Sequence, residues 1–197
     1  MSSLAVFAYG SLVNPESAAL TLGRPVEHAG LARLAGWRRS WSVARDNRAT
    51  EKTFARADDG SIPEFVVSLT LARSDAGGGA NGALIEITEA EADRLDLRER
   101  RYDRTDVSAD LAALPDHPLP RFERVITYVA KAHHHFPQPP EDAIAIAGYV
   151  NAVEAAFERL GTEHLELYRE TTGPLPVAAV EATLVRDEIP AGNPRAW

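Results

Sequence analysis

A short segment near the N-terminus could bind an anion. The apolar run Leu4–Tyr9 predicts a buried strand, Gly10 and Ser11 predict a tight turn, and Asn14 followed by Pro15 predicts a helix start. A glycine and a small hydroxyl residue let successive backbone amides point outward, and a helix N-terminus adds a positive partial charge. Such a loop could cradle a carboxylate or a phosphate, but a simple connecting turn explains the same residues.

Glu99 is the second residue that could do chemistry, as a general acid and base. The capping-box pattern of Thr88–Glu91 predicts a helix that ends at about Arg98, so Glu99 would follow its last turn. A carboxyl group in a suitable environment can move a proton between two substrate atoms. The alternative is a solvated charged face in which Arg98, Arg100 and Arg101 neutralise the carboxylate, so catalysis requires these arginines to point elsewhere.

Histidines and one tyrosine are further candidates. His133 and His135, at the two ends of a run of three histidines, could share a metal ion on a strand, where alternate residues face the same side. No HExxH spacing and no nearby acidic ligand accompanies them, so the sequence predicts no metal site. Tyr149 lies on a predicted helix from 141 to 160, either in the core with its hydroxyl at the rim or against a ligand.

Composition narrows the class of protein. The 197 residues contain 29 acidic and 21 Lys or Arg side chains, for a net charge of −8, with 45% hydrophobic residues. These values are typical of a folded domain, and we expect one domain over residues 1–197. The absence of cysteine excludes a thiolate nucleophile and a Cys-ligated metal. The basic residues form no clustered face, so we expect no binding to nucleic acid or to a membrane. Without a signal-peptide pattern, the expected location is cytoplasmic.

The predicted elements favour an α+β fold, with a mixed β-sheet or small barrel and scattered helices. The predicted helices are Pro15–Leu22 ended by Gly23, Glu89–Arg98, Glu141–Leu160, and one capped by Thr162 that runs to Arg169. The predicted strands lie within Leu31–Val43, Phe65–Leu71, Ala83–Ile87, Tyr102–Val107, Val125–Val129 and Val177–Val185. The segment Asp75–Gly82 predicts a flexible connection or a hairpin turn, and the tail Pro190–Trp197 is expected to be irregular.

Several of these segments together resemble the gamma-glutamylcyclotransferase superfamily. Val6–Leu12 resembles its N-terminal YGSL signature, and Gly148–Val150 resembles its C-terminal helix with a tyrosine. Between them lie three segments that resemble the family's second block: Gly82–Ile87, Leu95–Glu99 and Tyr102–Val107. The resemblance spans most of residues 4 to 160, in the expected order.

The resemblance implies a gamma-glutamylcyclotransferase-like mixed barrel flanked by helices, and an enzyme that converts a gamma-glutamyl amine or amide to 5-oxoproline and the free amine. By position, the substrate loop would consist of Tyr9, Gly10, Ser11 and Leu12. Glu99 would be the catalytic acid and base, and Tyr149 would contact the ligand. The implied partner is a small gamma-glutamyl substrate, and no metal or organic cofactor is implied.

Two features depart from the family, and one alternative function stays open. Arg100 and Arg101 follow Glu99 where family members often carry smaller or neutral residues, and the segment from Arg45 to Pro63 matches nothing in the family. The alternative is a non-catalytic domain that binds a small carboxylated metabolite through the same loop. The leaving amine and the oligomeric state also stay open.

Overall fold

The computed structural model describes residues 3–75 and 77–188, which form helices and three β-sheets. The strands are β1 (Leu4–Ala8), β2 (Gly30–Leu34), β3 (Trp37–Asp46), β4 (Lys52–Arg56), β5 (Phe65–Arg73), β6 (Ala80–Ile87), β7 (Tyr102–Asp106), β8 (Leu111–Ala112), β9 (Arg124–Ala130), β10 (Ala143–Ile146), β11 (Ala179–Val180) and β12 (Ala182–Asp187). The α-helices are α1 (Pro15–Leu22), α2 (Glu89–Arg98), α3 (Ala147–Glu158) and α4 (Thr162–Glu170). The predicted irregular tail, Pro190–Trp197, lies outside the described residues.

The largest sheet has six strands in the order β7-β9-β1-β6-β2-β8 and curls into half of a barrel. Strand β1 pairs in parallel with β9 and antiparallel with β6, which makes the sheet mixed. All five residues of β1 are buried, because both of its faces are covered. The predicted α+β fold with a mixed, barrel-like sheet is confirmed.

A second sheet has four strands in the order β11-β10-β5-β3. Its inner strand β10 corrects the predicted helix over Glu141–Leu160, because Ala143–Ile146 is extended and α3 begins only at Ala147. These four apolar residues are buried and pair in parallel with β5 on one side and β11 on the other. A short apolar run of this kind fits a buried parallel strand as well as a buried helix, so periodicity alone did not separate them.

Local signals place the first two helices as predicted. Asn14 Oδ1 accepts a hydrogen bond from the Glu16 amide at 3.1 Å, and Gly23 ends α1 with φ 73°. Thr88 and Glu91 form both bonds of the predicted capping box at the start of α2. At α4 the predicted cap is wrong, because Gly161 occupies the N-cap position and Thr162 is the first helical residue.

The predicted connection Asp75–Gly82 is wrong at its end, because Asn81 and Gly82 already lie inside β6. A Cβ atom at Gly82 would come within 2.2 Å of the Ala8 carbonyl oxygen, so only glycine allows β1 and β6 to approach this closely. The segment predicted as one bent strand, Leu31–Val43, divides into β2 and β3 around Gly36, whose φ is 76°. A glycine is compatible with a turn and with a strand, so its residue type alone does not determine which of the two forms.

The third sheet pairs only β4 with β12. Strand β4 lies within the unassigned segment 45–63, and β12 takes up the second half of the predicted strand Val177–Val185. The Asn47 side chain ties the segment together: its amide donates to the carbonyls of Phe54 at 2.8 Å and Pro63 at 2.9 Å. The segment is therefore an ordered unit beside the larger sheets.

Candidate active site

Two adjoining cavities open around Glu99. We call the smaller one, about 390 Å³, the inner pocket, and the larger one, about 710 Å³, the outer cleft. Both are lined by Ser11, Glu99, Tyr102 and Tyr149. The inner pocket adds Val6–Gly10, Leu12, Leu69 and Tyr128, whereas the outer cleft adds Arg45, Glu51, Lys52, Val66–Ser68, Arg98, Arg101 and Ile146.

The loop Tyr9–Leu12 leaves the end of β1 and enters a 3₁₀ turn, Ser11–Val13, directly before α1. The turn is closed by the Val13 amide, which donates to the Gly10 carbonyl at 3.0 Å. The Tyr9 side chain is buried, and its hydroxyl donates to the Tyr128 carbonyl at 2.7 Å. Burial raises the pKa of Tyr9 well above its usual value, so this hydroxyl is neutral and supports the loop.

Arg39 holds the same loop from inside the core. Its side chain is fully buried; Nε donates to the Tyr9 carbonyl at 2.8 Å, and Nη1 donates to Thr171 Oγ1 at 2.9 Å. Nη2 donates to the side-chain oxygen of Asn81 at 2.9 Å. The guanidinium lies 4.7 Å from the ring centre of Phe157, within the range of a cation–π contact. Burial lowers the pKa of Arg39 to about 9, so it stays charged at neutral pH.

Glu99 stands at the C-terminal end of α2, where its amide donates to the Leu95 carbonyl at 2.7 Å. Its side chain is 18% exposed, and one carboxylate oxygen lies 3.0 Å from Nε of Arg98. The requirement that all neighbouring arginines point away from Glu99 is therefore not met. Arg100 is exposed, and Arg101 pairs with Glu51 through two bonds of 3.0 and 2.8 Å.

Arg98 turns inward because it lies three residues after Leu95, on the buried face of α2. Its guanidinium donates to Ser11 Oγ at 3.0 Å and to Thr21 Oγ1 at 2.7 Å while it contacts Glu99. Arg98 therefore joins the Tyr9–Leu12 loop to Glu99. This role was not predicted from the sequence, although the spacing from Leu95 was a signal for it.

Two tyrosines complete the shared wall of the cavities. A Cβ atom at Gly10 would lie 3.7 Å from the Tyr149 hydroxyl, so this hydroxyl stands beside the loop. Burial raises the pKa of Tyr149 well above its usual value, and Trp41 packs edge-on against its ring at 5.8 Å. Tyr102, which the sequence analysis did not single out, donates from its hydroxyl to the Leu69 carbonyl at 2.9 Å.

Side chains from β3 and β4 line the outer cleft. Arg45 is buried and donates to Thr50 Oγ1 at 2.6 Å and to the Lys52 carbonyl at 2.5 Å. Lys52 is only 4% exposed although it lines the cleft. The Glu51–Arg101 pair joins the residue before β4 to the chain just beyond Glu99. The outer cleft thus depends on the segment that the sequence analysis left unassigned.

The three histidines lie apart from this site. Ala132–His134 form a 3₁₀ turn rather than the strand on which metal sharing was considered, and the rings of His133 and His134 stand 4.2 Å apart. In residues 3–75 and 77–188, no group of three or more His, Asp or Glu side chains is arranged to hold a metal ion. No helix in these ranges is long and apolar enough to span a membrane.

Comparison with known proteins gives similarity in structure but not in sequence. No protein-family model matches the sequence, and no curated protein matches it significantly. A structure described as a gamma-glutamyl cyclotransferase has a TM-score of 0.60 at 15% identity, over 86% of this chain and 88% of its own. An uncharacterized protein from Homo sapiens has a TM-score of 0.59 at 15% identity, over 87% and 89%.

YkqA from Bacillus subtilis is also similar, with a TM-score of 0.55 at 18% identity over 86% of this chain. The match covers 54% of YkqA, so the chain spans about half of that protein's length. This chain has the gamma-glutamyl cyclotransferase-like fold. The fold implied by the sequence resemblance is confirmed.

Within this gamma-glutamyl cyclotransferase-like fold, the residues named from the sequence come together. The inner pocket is lined by Tyr9, Gly10, Ser11, Leu12, Glu99 and Tyr149. They come from the end of β1, the end of α2 and the first turn of α3, which are far apart in sequence. The arrangement sets a carboxylate and a neutral hydroxyl beside a backbone loop at the start of a helix.

Proposed function

We propose that this chain is an enzyme of the gamma-glutamylcyclotransferase type. It would convert a gamma-glutamyl amine or amide to 5-oxoproline and release the free amine. One observation carries the proposal: the carboxylate of Glu99 lines the same pocket as the Tyr9–Leu12 loop, and Arg98 contacts both. The fold shared with a structure described as a gamma-glutamyl cyclotransferase supports it.

The loop would bind the alpha-carboxylate of the glutamyl group. The first N–H groups of a helical turn have no partner within the turn, so those of Ser11 and Leu12, which precede the Val13 amide that closes the turn, suit an anion. The helix α1 follows directly and adds the positive end of its dipole. The neutral hydroxyl of Tyr149, beside Gly10, would be a further contact for the substrate.

Glu99 would move one proton between two nitrogen atoms of the substrate. The neutral alpha-amino group attacks the gamma-carbonyl carbon, and Glu99 accepts the proton that this nitrogen loses. The bond from the gamma-carbon to the leaving nitrogen then breaks, and Glu99 donates the same proton to that nitrogen. Because the attacking amine and the carbonyl belong to one molecule, holding them together supplies a large part of the acceleration.

Arg98 would position the catalytic carboxylate. It contacts Glu99 at 3.0 Å while its other nitrogens bond to Ser11 and to Thr21 of α1. Side chains locked by such bonds hold a carboxylate in a fixed orientation toward a bound substrate. The ion pair that weighed against Glu99 in the sequence analysis thus becomes part of the proposed site.

The test measures 5-oxoproline formed from a panel of gamma-glutamyl compounds, including glutathione, by the wild type and by Glu99→Gln. We expect product from the wild type and a loss of about a thousandfold in Glu99→Gln, the range for removing a general acid or base. Glu89→Gln is the matched control, because Glu89 lies exposed on the same helix. Equal melting temperatures would show that the variants fold, and a fully active Glu99→Gln would reject the proposed role.

The alternative is a non-catalytic domain that binds a small carboxylated metabolite through the same loop. The Arg98–Glu99 ion pair favours it, because a carboxylate paired with a guanidinium can be structural. Saturable binding of a panel compound without any 5-oxoproline would support this alternative.

A further inference from the structure

Arg39 is a buried cation whose hydrogen bonds all go to neutral groups. The acceptors are the carbonyls of Tyr9 and Asn81, the side-chain oxygen of Asn81, and Thr171 Oγ1. In the part of the chain that the structure describes, its guanidinium forms no ion pair with a carboxylate. A buried cation without a counterion is unfavourable, so its charge must be balanced by dipoles or by an anion that binds from outside the fold.

The fold offers this cation dipoles rather than an opposite charge. Thr171 is the C-cap residue of α4, so the guanidinium lies at the negative end of that helix dipole. The ring centres of Phe157 and Tyr168 lie 4.7 and 4.9 Å from the guanidinium carbon. These groups hold the guanidinium in the core but do not neutralise it, so its field still acts on a nearby anion.

The charge of Arg39 acts on the Tyr9–Leu12 loop through one peptide group. Its Nε donates to the Tyr9 carbonyl at 2.8 Å, and the peptide between Tyr9 and Gly10 is trans. The carbonyl and the N–H of a trans peptide point in opposite directions, so the Gly10 N–H points away from the guanidinium. Gly10 lines the inner pocket, and its amide donates to no other residue that the structure describes. Arg39 therefore orients a free donor of the loop.

The charge on the wall of the inner pocket is negative. Of the described residues that line it, Glu99 alone carries a charged side chain. Arg98 reaches the loop at Ser11, but its guanidinium is paired with Glu99 at 3.0 Å. A carboxylate bound by the loop would therefore find its counter-charge behind the loop, at Arg39, rather than on the pocket wall.

We infer that Arg39 is a positioning residue for the alpha-carboxylate of the substrate: it orients the Gly10 amide toward that carboxylate and supplies its counter-charge from the core. The inference rests on the proposed function and assigns recognition of the carboxylate to a residue outside the pocket wall. A carboxylate oxygen bound to the Gly10 amide would lie about 8 Å from Nε of Arg39, by standard peptide and hydrogen-bond lengths. At that distance inside a protein, a unit charge changes affinity by about tenfold or more.

The experiment compares calorimetric binding of 5-oxoproline and 5-oxoprolinamide, in which a neutral carboxamide replaces the carboxylate. We expect the wild type to bind 5-oxoproline about tenfold or more tightly. Arg39→Gln removes the charge but keeps a hydrogen-bond donor, and it should abolish most of this preference, whereas Arg39→Lys should retain part of it. Thr171→Val is the matched control, because it removes one bond of the guanidinium and leaves both its charge and its bond to Tyr9. A merely structural role would weaken the binding of both ligands equally.

Three results would overturn the inference. They are equal or absent binding of the two ligands by the wild type, a preference that Arg39→Gln leaves intact, and a preference that Thr171→Val removes as fully as Arg39→Gln does. If Arg39→Gln does not fold, the wild-type preference is measured in about 1 M salt, where a charge in the core is screened little. Persistence of the preference then supports the inference, and its loss overturns it.

The proposed function is tested separately, by formation of 5-oxoproline from the panel of gamma-glutamyl compounds. Preferential binding of 5-oxoproline without any turnover rejects the proposed reaction and supports the role of Arg39 in the non-catalytic alternative. Turnover without preferential binding of 5-oxoproline rejects the role of Arg39 and leaves the proposed reaction in place.

Discussion

The inner pocket and the outer cleft meet at Glu99 but are held together differently. The loop of the inner pocket continues a buried strand of the six-stranded sheet and is tied to the core by Arg39. The outer cleft draws Lys52 from β4, which pairs only with β12, and Arg45 from the end of β3. The groups proposed for chemistry therefore belong to the core, whereas part of the wall of the outer cleft belongs to a peripheral two-stranded unit.

The largest expected effect comes from removing the core anchor of the loop. Arg39→Met leaves the buried acceptors on Tyr9, Asn81 and Thr171 without their donor, which should lower the free energy of unfolding by about 3 kcal/mol or more. Urea unfolding measures this loss. Arg38→Met is the control, since Arg38 bonds at the surface to the Glu170 carbonyl and should change stability by about 0.5 kcal/mol or less. Similar values for the two variants would contradict the comparison.

Arg98→Met should reduce activity in addition to lowering the stability of the fold. Loss of the contact to Glu99 and of the bond to Ser11 should lower kcat about a hundredfold, because the carboxylate is no longer held. The pH profile of kcat should shift as well, which a merely structural residue would not cause. Arg94→Met tests the same helix away from the site, because Arg94 bonds to the Leu22 carbonyl. An unchanged kcat and pH profile in Arg98→Met would remove its positioning role.

Asn47→Ala should loosen the peripheral unit and spare the core. The variant removes the bonds of the Asn47 amide to Phe54 and Pro63, at a cost of about 2 kcal/mol in local stability. Hydrogen exchange should become faster in β4 and β12 but not in β1. Asn151→Ala, at an exposed position of α3, is the matched control. Faster exchange in β1 would show that the β4–β12 unit and the six-stranded sheet do not open independently.

The smallest expected effect concerns the stability of the fold in acid, through Glu91 in the first turn of α2. Burial raises the pKa of Glu91, but the bonds from Arg24 and Thr88 outweigh it and hold that pKa below the ordinary 4.5. The carboxylate therefore stabilises the fold fully above pH 4.5, and this contribution is lost as the pH falls through the lowered value. Glu91→Gln should cost about 1 kcal/mol at pH 7 and progressively less in acid.

Chemical unfolding from pH 7 down to pH 3 checks this dependence. Glu166→Gln, at an exposed position of α4, should show no such convergence with the wild type. A Glu91→Gln deficit that stays constant over the whole range would contradict the assigned pKa direction.

Local sequence signals were sufficient where one residue and its neighbours determine the structure. Both ends of α1 were predicted from Asn14 and Gly23, and the start of α2 was predicted from the capping box at Thr88. Gly82 and Ala143–Ile146 were misassigned, because their conformations depend on strands distant in sequence. Propensity does not encode such pairing.

The candidate site divides in the same way. The Tyr9–Leu12 loop and Glu99 stood out because their residue types suit chemistry and resemble a known family. Arg98 was weighed only as a neighbour that opposes catalysis, since the sequence did not show that its guanidinium also reaches Ser11. Lys52 lies in no recognisable motif, and its place beside the cleft follows from the bond that Arg45 of β3 donates to its carbonyl.

The bonds of Arg39 have a consequence for the timing of biosynthesis. They reach residues 30, 42 and 132 positions away along the chain, at Tyr9, Asn81 and Thr171. A ribosome that adds about 5 to 20 residues per second needs about 8 to 32 seconds to pass from the first of these partners to the last. A nascent chain therefore cannot complete the bonds of Arg39 until α4 and Thr171 have emerged, so the full anchor of the loop forms long after the loop itself has been made.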